Sequence, residues 1–533
     1  MNALIVDGLV LVVYFVGIVG IGLYAGRKNE NLADFALGGR SIPWWAVLAS
    51  IIAAETSAAT FLGTPAEGYK THGFIYGQLV IGTILARVVI AFTFIEPYYR
   101  YRVQSIYEFL AIRFGNSTKN AASAIFLFTR VLGIGVRLYL GGVIMVVIWR
   151  YLFPETPISL HVYFWGIVFV TVVTTFYTMI GGIKAVVWTD FIQATLMIGS
   201  VVFAIGLLLG RVGGFGAVGE ALGGWENLQW TQSGWDSAKP FGAALRGMLE
   251  EPYTLFAAFI GSTFLTMATH GTDQDMVQRM LTAPNYRKAR MSLILSGLAD
   301  IPIVICFLGV GILLWVYYQQ LPGGPPAIAD NEIFAHFIVN DMPIGLRGLI
   351  IAGVFATMMG STSAALNALA TSFTKDFYLP YFSRTTGDRE PILAARIATA
   401  VFGLLMIGVA TVAAYQVLQD PKLTIIPIAI GILGYTYGAL LGVFLLGMLT
   451  RNRGDDRANV VAMILGIMAV FFLCKVKLPG IVDFGRWMPE WWPQISWPWF
   501  VLIGSTVTFA VGVLFRTSER QVEIARAHVS TSA

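Results

Sequence analysis

Charged residues are scarce in this sequence. They make up 12% of its 533 residues, which is about half the share found in soluble domains. The mean hydropathy is +0.72, and hydrophobic residues make up 56% of the chain. A soluble protein needs a charged surface to face water. The composition therefore excludes a soluble protein and predicts that most of the surface faces lipid.

Cysteine is scarcer still, with only two residues. Cys306 and Cys474 both lie in apolar runs, so we interpret them as small buried residues and not as a disulfide or a metal-binding pair. No spacing of nucleophile and base, or of metal ligands, points to an enzyme. The N-terminus lacks the basic segment and the cleavage site of a signal peptide, so we expect the first apolar segment to be retained.

The chain is rich in apolar runs of about 20 residues, the length that a helix needs to cross the hydrocarbon core of a membrane. We predict thirteen such segments, at residues 3–25, 43–68, 73–98, 120–149, 157–180, 185–210, 252–272, 291–318, 346–372, 392–416, 425–449, 458–474 and 498–515. The 57 glycines suit close packing between such helices. The pattern predicts an all-α polytopic membrane protein.

The distribution of Lys and Arg predicts the orientation of these segments. The connections that would face one side hold 21 of the 35 Lys and Arg, those on the other side hold 9, and the other five fall inside the segments. Cytoplasmic connections normally carry the excess of positive charge. We therefore predict that the N-terminus is outside and the C-terminus inside. The long outside connections 211–250 and 319–345 are expected to have little regular structure.

The second predicted segment is polar where a membrane helix should be apolar. It reads AAETSAATFLGTPAEGY from Ala53. A break there would free backbone carbonyls, which are tolerated at membrane depth only where they line a cavity or bind something. One interpretation is a kinked structural helix. The other is an ion or substrate site at a discontinuous helix, as in transporters built from inverted repeats.

The ninth predicted segment has a similar character. The run ATMMGSTSAALNALATSFTKDFY begins at Ala356 and places Thr357, Ser361, Thr362 and Ser363 in a helix of small residues. Hydroxyl and carbonyl oxygens are hard ligands that suit a small cation such as Na⁺. Taken alone, however, a helix of small residues is more often a packing interface between membrane helices.

Together these segments resemble the sodium:solute symporter family. The resemblance extends over residues 33–451. It includes SIPWWAVLAS, TFLGTPAEGY, IYEFLAIRFG, GGIKAVVWTDFIQ and LLGVFLLGML, which begin at Ser41, Thr60, Ile106, Gly181 and Leu440. The resemblance implies the leucine-transporter fold, in which two inverted repeats of five helices form the core.

The resemblance also implies the organisation of a single membrane domain over residues 1–533. Its parts would be an extra N-terminal helix and loop (1–42), a first inverted repeat (43–210), an extracellular loop (211–250), a second inverted repeat (251–449), two C-terminal helices (450–515) and a cytoplasmic tail (516–533). The tail is too short for a catalytic or signalling module.

In this family the main sodium site joins the break in the first core helix to the eighth core helix. The resemblance implies as ligands the backbone carbonyls of Ala53, Thr56 and Thr357 and the hydroxyl of Ser361. The family usually has a second hydroxyl one residue earlier, where this chain has Gly360. Either Thr362, a backbone carbonyl or water completes the site, or sodium binds weakly.

Asp190 and Ser363 are candidates for a second ion site or for the exit path of the ion. Asp190 matches an acidic residue that serves in this way in some members of the family. Of the partners expected around it, only Ser363 keeps a hydroxyl. The competing interpretation makes Asp190 a helix N-cap near the cytoplasmic face.

The candidate substrate pocket consists of Thr60, Phe61, Arg137, Thr266, His270, Asp300 and Tyr435. Where sugar carriers of the family have polar residues, this chain has the acidic Asp300 and two apolar residues, which disfavours a hexose. The stretch from Thr60 is closer to the branch that carries iodide, monocarboxylates and vitamins. The alternatives are that His270 is a satisfied interior group and that Tyr435 serves aromatic packing.

Ionisable side chains inside a membrane are costly, and they are therefore candidates for function. Arg130 and Arg137 are seven residues apart and so lie on one face of the third core helix. Either could hold a substrate carboxylate through paired hydrogen bonds. The alternative is pairing inside the protein, with Glu55, Glu96, Asp190 and Asp300 as the partners.

These predictions describe a secondary active symporter in the plasma membrane, which is the inner membrane in a bacterium. It would couple Na⁺ influx to the uptake of a small organic solute, a monocarboxylate or a similar small anion, by alternating access. Its partners would be Na⁺, the solute and the lipid bilayer, with no nucleic acid. The alternatives are a proton-coupled carrier and a membrane sensor that uses the same fold.

Overall fold

The computed structural model of the protein describes residues 2–27, 31–153, 155–156, 159–326, 328, 330–383, 389–419, 425–478 and 482–532. Over these residues the regular structure is almost entirely helical. The strands found there are β1 (Lys477–Leu478) and β2 (Val482–Asp483), which pair in antiparallel register. In the described chain Cys306 and Cys474 are both free thiols; Cys474 is buried as predicted, whereas Cys306 is only partly buried.

The described residues up to 212 form nine α-helices. They are α1 (Asn2–Gly26), α2 (Leu32–Leu37), α3 (Trp44–Glu55), α4 (Ala58–Thr71), α5 (Val80–Thr93), α6 (Ile95–Arg100), α7 (Tyr107–Arg113), α8 (Asn116–Leu152) and α9 (Leu160–Val212). Short 3₁₀ turns at Gly38–Arg40 and Ile75–Leu79 lead into α3 and α5.

The remainder of the described chain adds thirteen α-helices. They are α10 (Gly214–Ala221), α11 (Phe241–Glu250), α12 (Thr263–Gly271), α13 (Gln274–Leu281), α14 (Tyr286–Gln319), α15 (Ile333–Asn340), α16 (Leu346–Phe373), α17 (Leu379–Tyr381), α18 (Arg389–Gln419), α19 (Ile425–Leu449), α20 (Asp456–Leu473), α21 (Phe500–Val513) and α22 (Glu519–Ser532). Two π-helical turns, Ala257–Ser262 and Thr374–Tyr378, adjoin α12 and α16.

Each of the thirteen predicted segments coincides with helical structure. Among the described residues, nine helices are long and apolar enough to cross a membrane, or ten if the bent pair 32–40 and 44–55 forms one span. This count treats α9 as one helix, although α9 covers two of the predicted segments. The all-α polytopic architecture is confirmed, and the number of crossings and their orientation stay predictions.

The turn inside α9 depends on Gly182. Its φ of 56° and ψ of −154° interrupt the helix, and a positive φ is readily adopted by glycine. A Cβ at this position would lie 2.7 Å from the backbone oxygen of Phe35, so the close packing also requires glycine. The turn divides α9 into a first half (160–181) and a second half (183–212), in agreement with the two segments predicted there.

The first helix of each predicted repeat is broken. Between α3 and α4 the backbone is extended at Thr56 (φ −80°, ψ 97°) and at Ser57 (φ −88°, ψ 170°). Between α12 and α13 it is extended at Asp273 (φ −106°, ψ 124°). Each break leaves carbonyl groups at the end of the first half, and amide groups at the start of the second half, without partners inside the helix.

The helices around these breaks pack in two groups. The bundle consists of α3, α4, α5, α12 and α14, and the scaffold consists of α8, α9, α16 and α18. The first repeat gives α3, α4 and α5 to the bundle and α8 and α9 to the scaffold. The second repeat gives α12 and α14 to the bundle and α16 and α18 to the scaffold.

The two long connections are more regular than expected. Residues 211–250 contain α10 and α11, and residues 319–345 contain α15. Short helices have little stability of their own and form because of tertiary packing. The local sequence of these connections, which is rich in Gly and Pro, therefore did not predict them. In α15, for example, Phe334 stacks on Phe61 of α4, with ring centroids 5.6 Å apart.

Candidate ion and substrate site

The break in the first core helix lies against the middle of α16. Ala53 and Thr56, at the end of α3, are buried, and so are Thr357 and Ser361 on α16. A Cβ on Gly360 would lie 3.3 Å from the Ala53 carbonyl oxygen, so α16 touches the break itself. The structure therefore places α16, which carries Thr357 and Ser361, against the end of α3 that carries Ala53 and Thr56.

The hydroxyl oxygens of Ser361 and Thr362 on α16 can still bind a cation. Ser361 donates to the carbonyl oxygens of Thr357 and Met358, at 3.1 Å each, and Thr362 donates to that of Met358 at 2.7 Å. A hydroxyl that donates its proton to its own helix still has lone pairs with which to bind a cation. Ser361 and Thr362 line the same small cavity as Ser57 at the break.

Arg137 lines this cavity too. The walls consist of Ser57, Ile134, Arg137, Leu138, Met358, Ser361 and Thr362. The space inside is about that of one water molecule. Among the described residues, no acidic group lies within the 4.0 Å of an ion pair with the Arg137 guanidinium. A cation without a fixed counter-ion thus lies beside the predicted sodium site.

One group of buried charges, here called the bundle cluster, joins the membrane segments of the bundle. Glu55 on α3 pairs with Arg87 on α5, which also pairs with Asp300 on α14 at 2.8 Å. His270 on α12 contacts Glu55 through Nε2 and Thr269 Oγ1 through Nδ1, the latter at 2.9 Å. Four helices of the bundle, α3, α5, α12 and α14, therefore each supply one ionisable side chain to the same cluster.

A second group, here called the bridging network, joins α13 to the scaffold. Arg130 on α8 pairs with Asp273 at 2.9 Å and with Asp275, while Arg279 on α13 pairs with Asp275 and, at 3.2 Å, with Asp190 on α9. Acidic and basic groups alternate along the network, and every side chain is at most 6% exposed.

The structure distinguishes the two arginines of the third core helix. Arg130 is paired inside the protein, but with Asp273 and Asp275 and not with any of the four predicted partners. Arg137 has no such pair in the described part of the chain. The N-cap interpretation of Asp190 is wrong, because this residue lies inside the second half of α9 and is fully buried.

Six of the seven residues predicted for the substrate pocket lie outside the cavity walls. Tyr435 stacks on Phe500 at the start of α21, with ring centroids 5.5 Å apart, and so packs against the C-terminal helices. Phe61 is buried against Phe334 of α15. Thr60 lies in the first turn of α4, and Thr266 is buried in α12. His270 and Asp300 belong to the bundle cluster, so of this set only Arg137 lines the cavity.

Comparison with known proteins is consistent with this geometry. Residues 35–466 match the sodium:solute symporter family. The chain belongs to this family. The sodium/sialic acid symporter SiaT of Proteus mirabilis is 29% identical to this symporter over 469 residues, which cover 86% of this chain and 88% of that protein. The sodium-coupled monocarboxylate transporter 1 of Homo sapiens is 27% identical over 461 residues, with coverages of 85% and 69%.

Solved structures agree on the fold. A Na⁺-coupled sialic acid symporter in a substrate-bound, outward-open state matches with a TM-score of 0.77 at 25% identity, covering 96% of this chain and 97% of that chain. Mhp1, a nucleobase-cation-symport-1 family transporter, matches with a TM-score of 0.55 at 14% identity, covering 94% and 99%. This symporter therefore has the leucine-transporter fold. It is a Na⁺-coupled, multi-pass membrane transporter and not an enzyme.

Sequence reasoning missed the acidic and basic residues of α13 in this symporter. Asp273, Asp275 and Arg279 were assigned to a cytoplasmic connection and counted as loop residues. Asp275 and Arg279 are four residues apart, which is the spacing of an ion pair on one helical face. Gln193 was also missed, although it lies three residues after Asp190 and hence on the same face of α9.

Proposed function

We propose that this symporter couples the entry of Na⁺ to the uptake of a small organic anion, a monocarboxylate or a related carboxylate, and that Arg137 binds the carboxylate group. The observation that carries the proposal is the Arg137 guanidinium, which lines the cavity beside the break without an ion pair to any described residue. A guanidinium in a membrane interior is costly when no carboxylate pairs with it directly. A carboxylate would offset this cost through paired, charge-assisted hydrogen bonds.

The named substrates of the relatives support an acidic solute. One relative is named for sialic acid and the other for monocarboxylates. The two names differ in the size of the solute but share an acid group, and this shared chemistry is what a guanidinium recognises. The proposal is therefore limited to the acid group of the solute.

Sodium would bind between the carbonyls of Ala53, Thr56 and Thr357 and the hydroxyl of Ser361. Such an ion would connect α3 of the bundle with α16 of the scaffold. A ligand shifts an equilibrium only by the difference in its affinity for the two states. Na⁺ would favour the state in which the break and α16 are in contact, and this gives the coupling by alternating access.

The charge of the solute determines what drives accumulation. A tenfold sodium gradient is worth about 1.4 kcal/mol, and a potential of 100 mV adds about 2.3 kcal/mol for each net charge moved. One Na⁺ and one monoanion together move no net charge, so the potential contributes nothing. With that stoichiometry a tenfold gradient would support about tenfold accumulation.

The test is uptake into proteoliposomes with and without an inward Na⁺ gradient. The panel contains pyruvate, lactate, acetate, sialic acid and pantothenate as acids, and galactose as a neutral compound. We expect Na⁺-dependent uptake of at least one acid. Arg137→Gln should reduce this uptake about 10- to 100-fold, which corresponds to the loss of hydrogen bonds to a charged group. Arg137→Lys should reduce it less. Ser361→Ala should raise the Na⁺ concentration needed for half-maximal uptake.

The exposed Arg246 on α11 supplies the matched control. Arg246→Gln removes the same charge far from the cavity and should leave uptake unchanged. Efficient uptake of galactose, or uptake of an acid that Arg137→Gln does not alter, would contradict the proposed recognition. Na⁺-independent uptake would contradict the sodium site.

A proton-coupled carrier is the second candidate, and one observation favours it. His270 and Glu55 are in direct contact inside the bundle cluster, and an imidazole and a carboxylate in contact can share a proton. Uptake driven by an inward proton gradient without Na⁺, and abolished in His270→Gln, would support this candidate over sodium coupling.

A further inference from the structure

A cavity of about 510 Å³, here called the tail cavity, lies beside the C-terminal helix α22. Its walls come from the loop between α6 and α7, from α7, from the first turn of α8, from the π-helical turn and α17 after α16, and from α22. All these segments belong to the side of the protein predicted to be cytoplasmic. The volume is within the range of small-molecule sites, which is about 300–1,000 Å³.

The charged side chains around the tail cavity are mostly basic. Arg102, Lys119 and Lys375 lie in the described wall, with Glu108 as the one carboxylate there. Glu108 is already engaged, because its Oε2 accepts from two backbone amides at 2.7 and 3.2 Å and its Oε1 pairs with Lys375 at 3.4 Å. Three cations against one occupied carboxylate leave an excess of positive charge, which favours an anionic ligand.

Lys119 is the most buried of these cations, with 6% of its surface exposed. Among the described residues its ammonium group donates to the backbone oxygen of Asp376 at 3.2 Å and has no carboxylate within ion-pair distance. The Asp376 carboxylate accepts instead from Ser105 and Ser123, at 2.7 and 2.8 Å. An ammonium group has three N–H donors, and a buried charge without a partner costs free energy. Lys119 can therefore donate to an anion inside the cavity.

Apolar side chains beside the tail cavity indicate a lipid as the source of that anion. Leu379 and Pro380 form part of the wall. Tyr381 and Phe382 follow directly and are 57% and 65% exposed. Exposed aromatic residues are typical of the level of the lipid headgroups, and anionic lipids of the cytoplasmic leaflet attract Lys and Arg. A phospholipid would match both the basic cavity and its apolar edge.

We propose that the tail cavity binds the phosphate group of an anionic phospholipid through Arg102, Lys119 and Lys375. Lysine and arginine are the side chains that usually bind phosphate, as a point charge and as a planar fork respectively. The acyl chains of the lipid would lie along the apolar edge that Tyr381 and Phe382 form. This inference depends neither on the sodium site nor on Arg137.

A lipid in this position would also hold the tail in place. Gln521 of α22 donates to the backbone oxygens of Ala111 and Ile112 at the end of α7, at 3.0 and 2.8 Å. Farther along α22, His528 forms part of the cavity wall. The headgroup would therefore connect α22 with α8 and with the turn after α16, and both α8 and α16 belong to the scaffold.

The test is native mass spectrometry of the purified full-length symporter in detergent, titrated with phosphatidylglycerol. Phosphatidylcholine, which carries the same phosphate group but no net charge, is the reference lipid and should bind about fivefold more weakly or worse. Lys119→Met nearly keeps the length of the side chain and removes its charge. We expect this variant to raise the Kd for the first bound phosphatidylglycerol about tenfold or more, because a hydrogen-bonded charge is lost.

Arg102→Gln gives an independent variant at the exposed rim of the tail cavity. It should raise the Kd about fivefold, the usual contribution of one basic side chain near anionic lipid. This variant decides the question if Lys119→Met does not fold, and a single peak on gel filtration in detergent shows whether each variant is folded. The matched control is Lys288→Met, the same substitution at an exposed lysine on the same predicted side and outside the cavity. Its Kd should equal that of the wild type.

Inorganic phosphate and glycerol 3-phosphate distinguish a lipid from a soluble ligand. Neither should displace bound phosphatidylglycerol, because neither has an apolar part to occupy the edge of the cavity. Displacement by either compound would assign the cavity to a soluble phosphate and overturn the lipid. An unchanged Kd in both Lys119→Met and Arg102→Gln, an equal loss in Lys288→Met, or equal affinity for the two lipids would overturn the inference as a whole.

Discussion

The bundle cluster and the bridging network are built from similar side chains but connected differently. In the bundle cluster, Arg87 contacts both carboxylates, and no other described cation pairs with Asp300. In the bridging network, Asp275 contacts two arginines, and Asp273 accepts from Tyr437 as well as pairing with Arg130. A cluster with one central cation depends on that residue, whereas an alternating network distributes its stabilisation.

The two groups also differ in the helices that they join. The bundle cluster lies inside one packing group, so its contacts can persist while the bundle moves as a unit. The bridging network joins α13, which contacts α3, α12 and α14 of the bundle, to α8 and α9, so a movement of the bundle and α13 together against the scaffold must change its contacts. Alternating access in such folds is largely a movement of this kind. We therefore expect the cluster to matter for stability and the network to matter for transport.

The largest expected effect is that of Arg87→Met. This change leaves the partly buried Asp300 without a cationic partner, and breaking a fully buried ion pair from one side costs about 3–5 kcal/mol, which is the upper limit expected here. We expect a large loss of thermal stability in detergent, or no folded protein, measured by the melting temperature and by gel filtration. Adding Glu55→Gln and Asp300→Asn should restore much of the loss. A melting temperature equal to that of the wild type would show that the cluster does not stabilise the bundle.

Arg130→Met should have a smaller effect on stability. After the change Asp275 keeps Arg279 and Asp273 keeps Tyr437, so we expect a loss of about 1–3 kcal/mol, the cost of unmade hydrogen bonds to buried groups. Na⁺-driven uptake should fall further than in a bundle variant of equal stability. A stability loss as large as that of Arg87→Met would mean that the bridging network depends on Arg130 and not on several ion pairs together.

His270→Gln should have a smaller effect again. The amide can still donate a hydrogen bond to Glu55, so we expect a loss of about 1 kcal/mol or less. With Na⁺ as the coupling ion, uptake in this variant should keep the same dependence on pH as in the wild type. The measurement is uptake between pH 5.5 and 8 at a fixed Na⁺ gradient, and loss of the pH dependence would point to a proton carried at His270.

Arg246→Met should have the smallest effect of the series. Arg246 pairs with Glu250 at 2.9 Å on the surface of α11, where the two side chains are 49% and 36% exposed. Exposed pairs at this spacing contribute about 0.3–0.5 kcal/mol. The melting temperature should barely change, and a loss comparable to that of Arg130→Met would show that charge removal alone, without burial, explains the series.

Much of the candidate site could be predicted from the sequence, because its residues stand out in an apolar background. A polar run from Ala53 and a hydroxyl-rich run from Ala356 predicted a broken helix and a helix facing it. The structure contains both, in contact at Gly360. The pairing of Arg130 could not be predicted, because its partners Asp273 and Asp275 are distant in sequence and lie in what reads as a loop.

Residues that read alike in sequence took different places in the fold. Arg130 and Arg137 share a helical face, yet only Arg130 reaches the acidic residues around α13. Tyr435 and Tyr437 are two residues apart, and the turn of the helix directs the first to the C-terminal helices and the second to Asp273. Local periodicity defines the face of a helix, but the neighbour of that face depends on the packing of distant segments.

The sequence by itself determined the class of this protein. Its low charge content and long apolar runs predict a helical membrane protein, because lipid cannot satisfy backbone polar groups. The polar interruptions in these runs predict discontinuous helices. Only the tertiary structure decided which buried charges are paired, which guanidinium lacks an ion pair among the described residues and which oxygens surround Gly360. The reason is physical: these properties depend on distances of a few ångströms between residues that lie far apart along the chain.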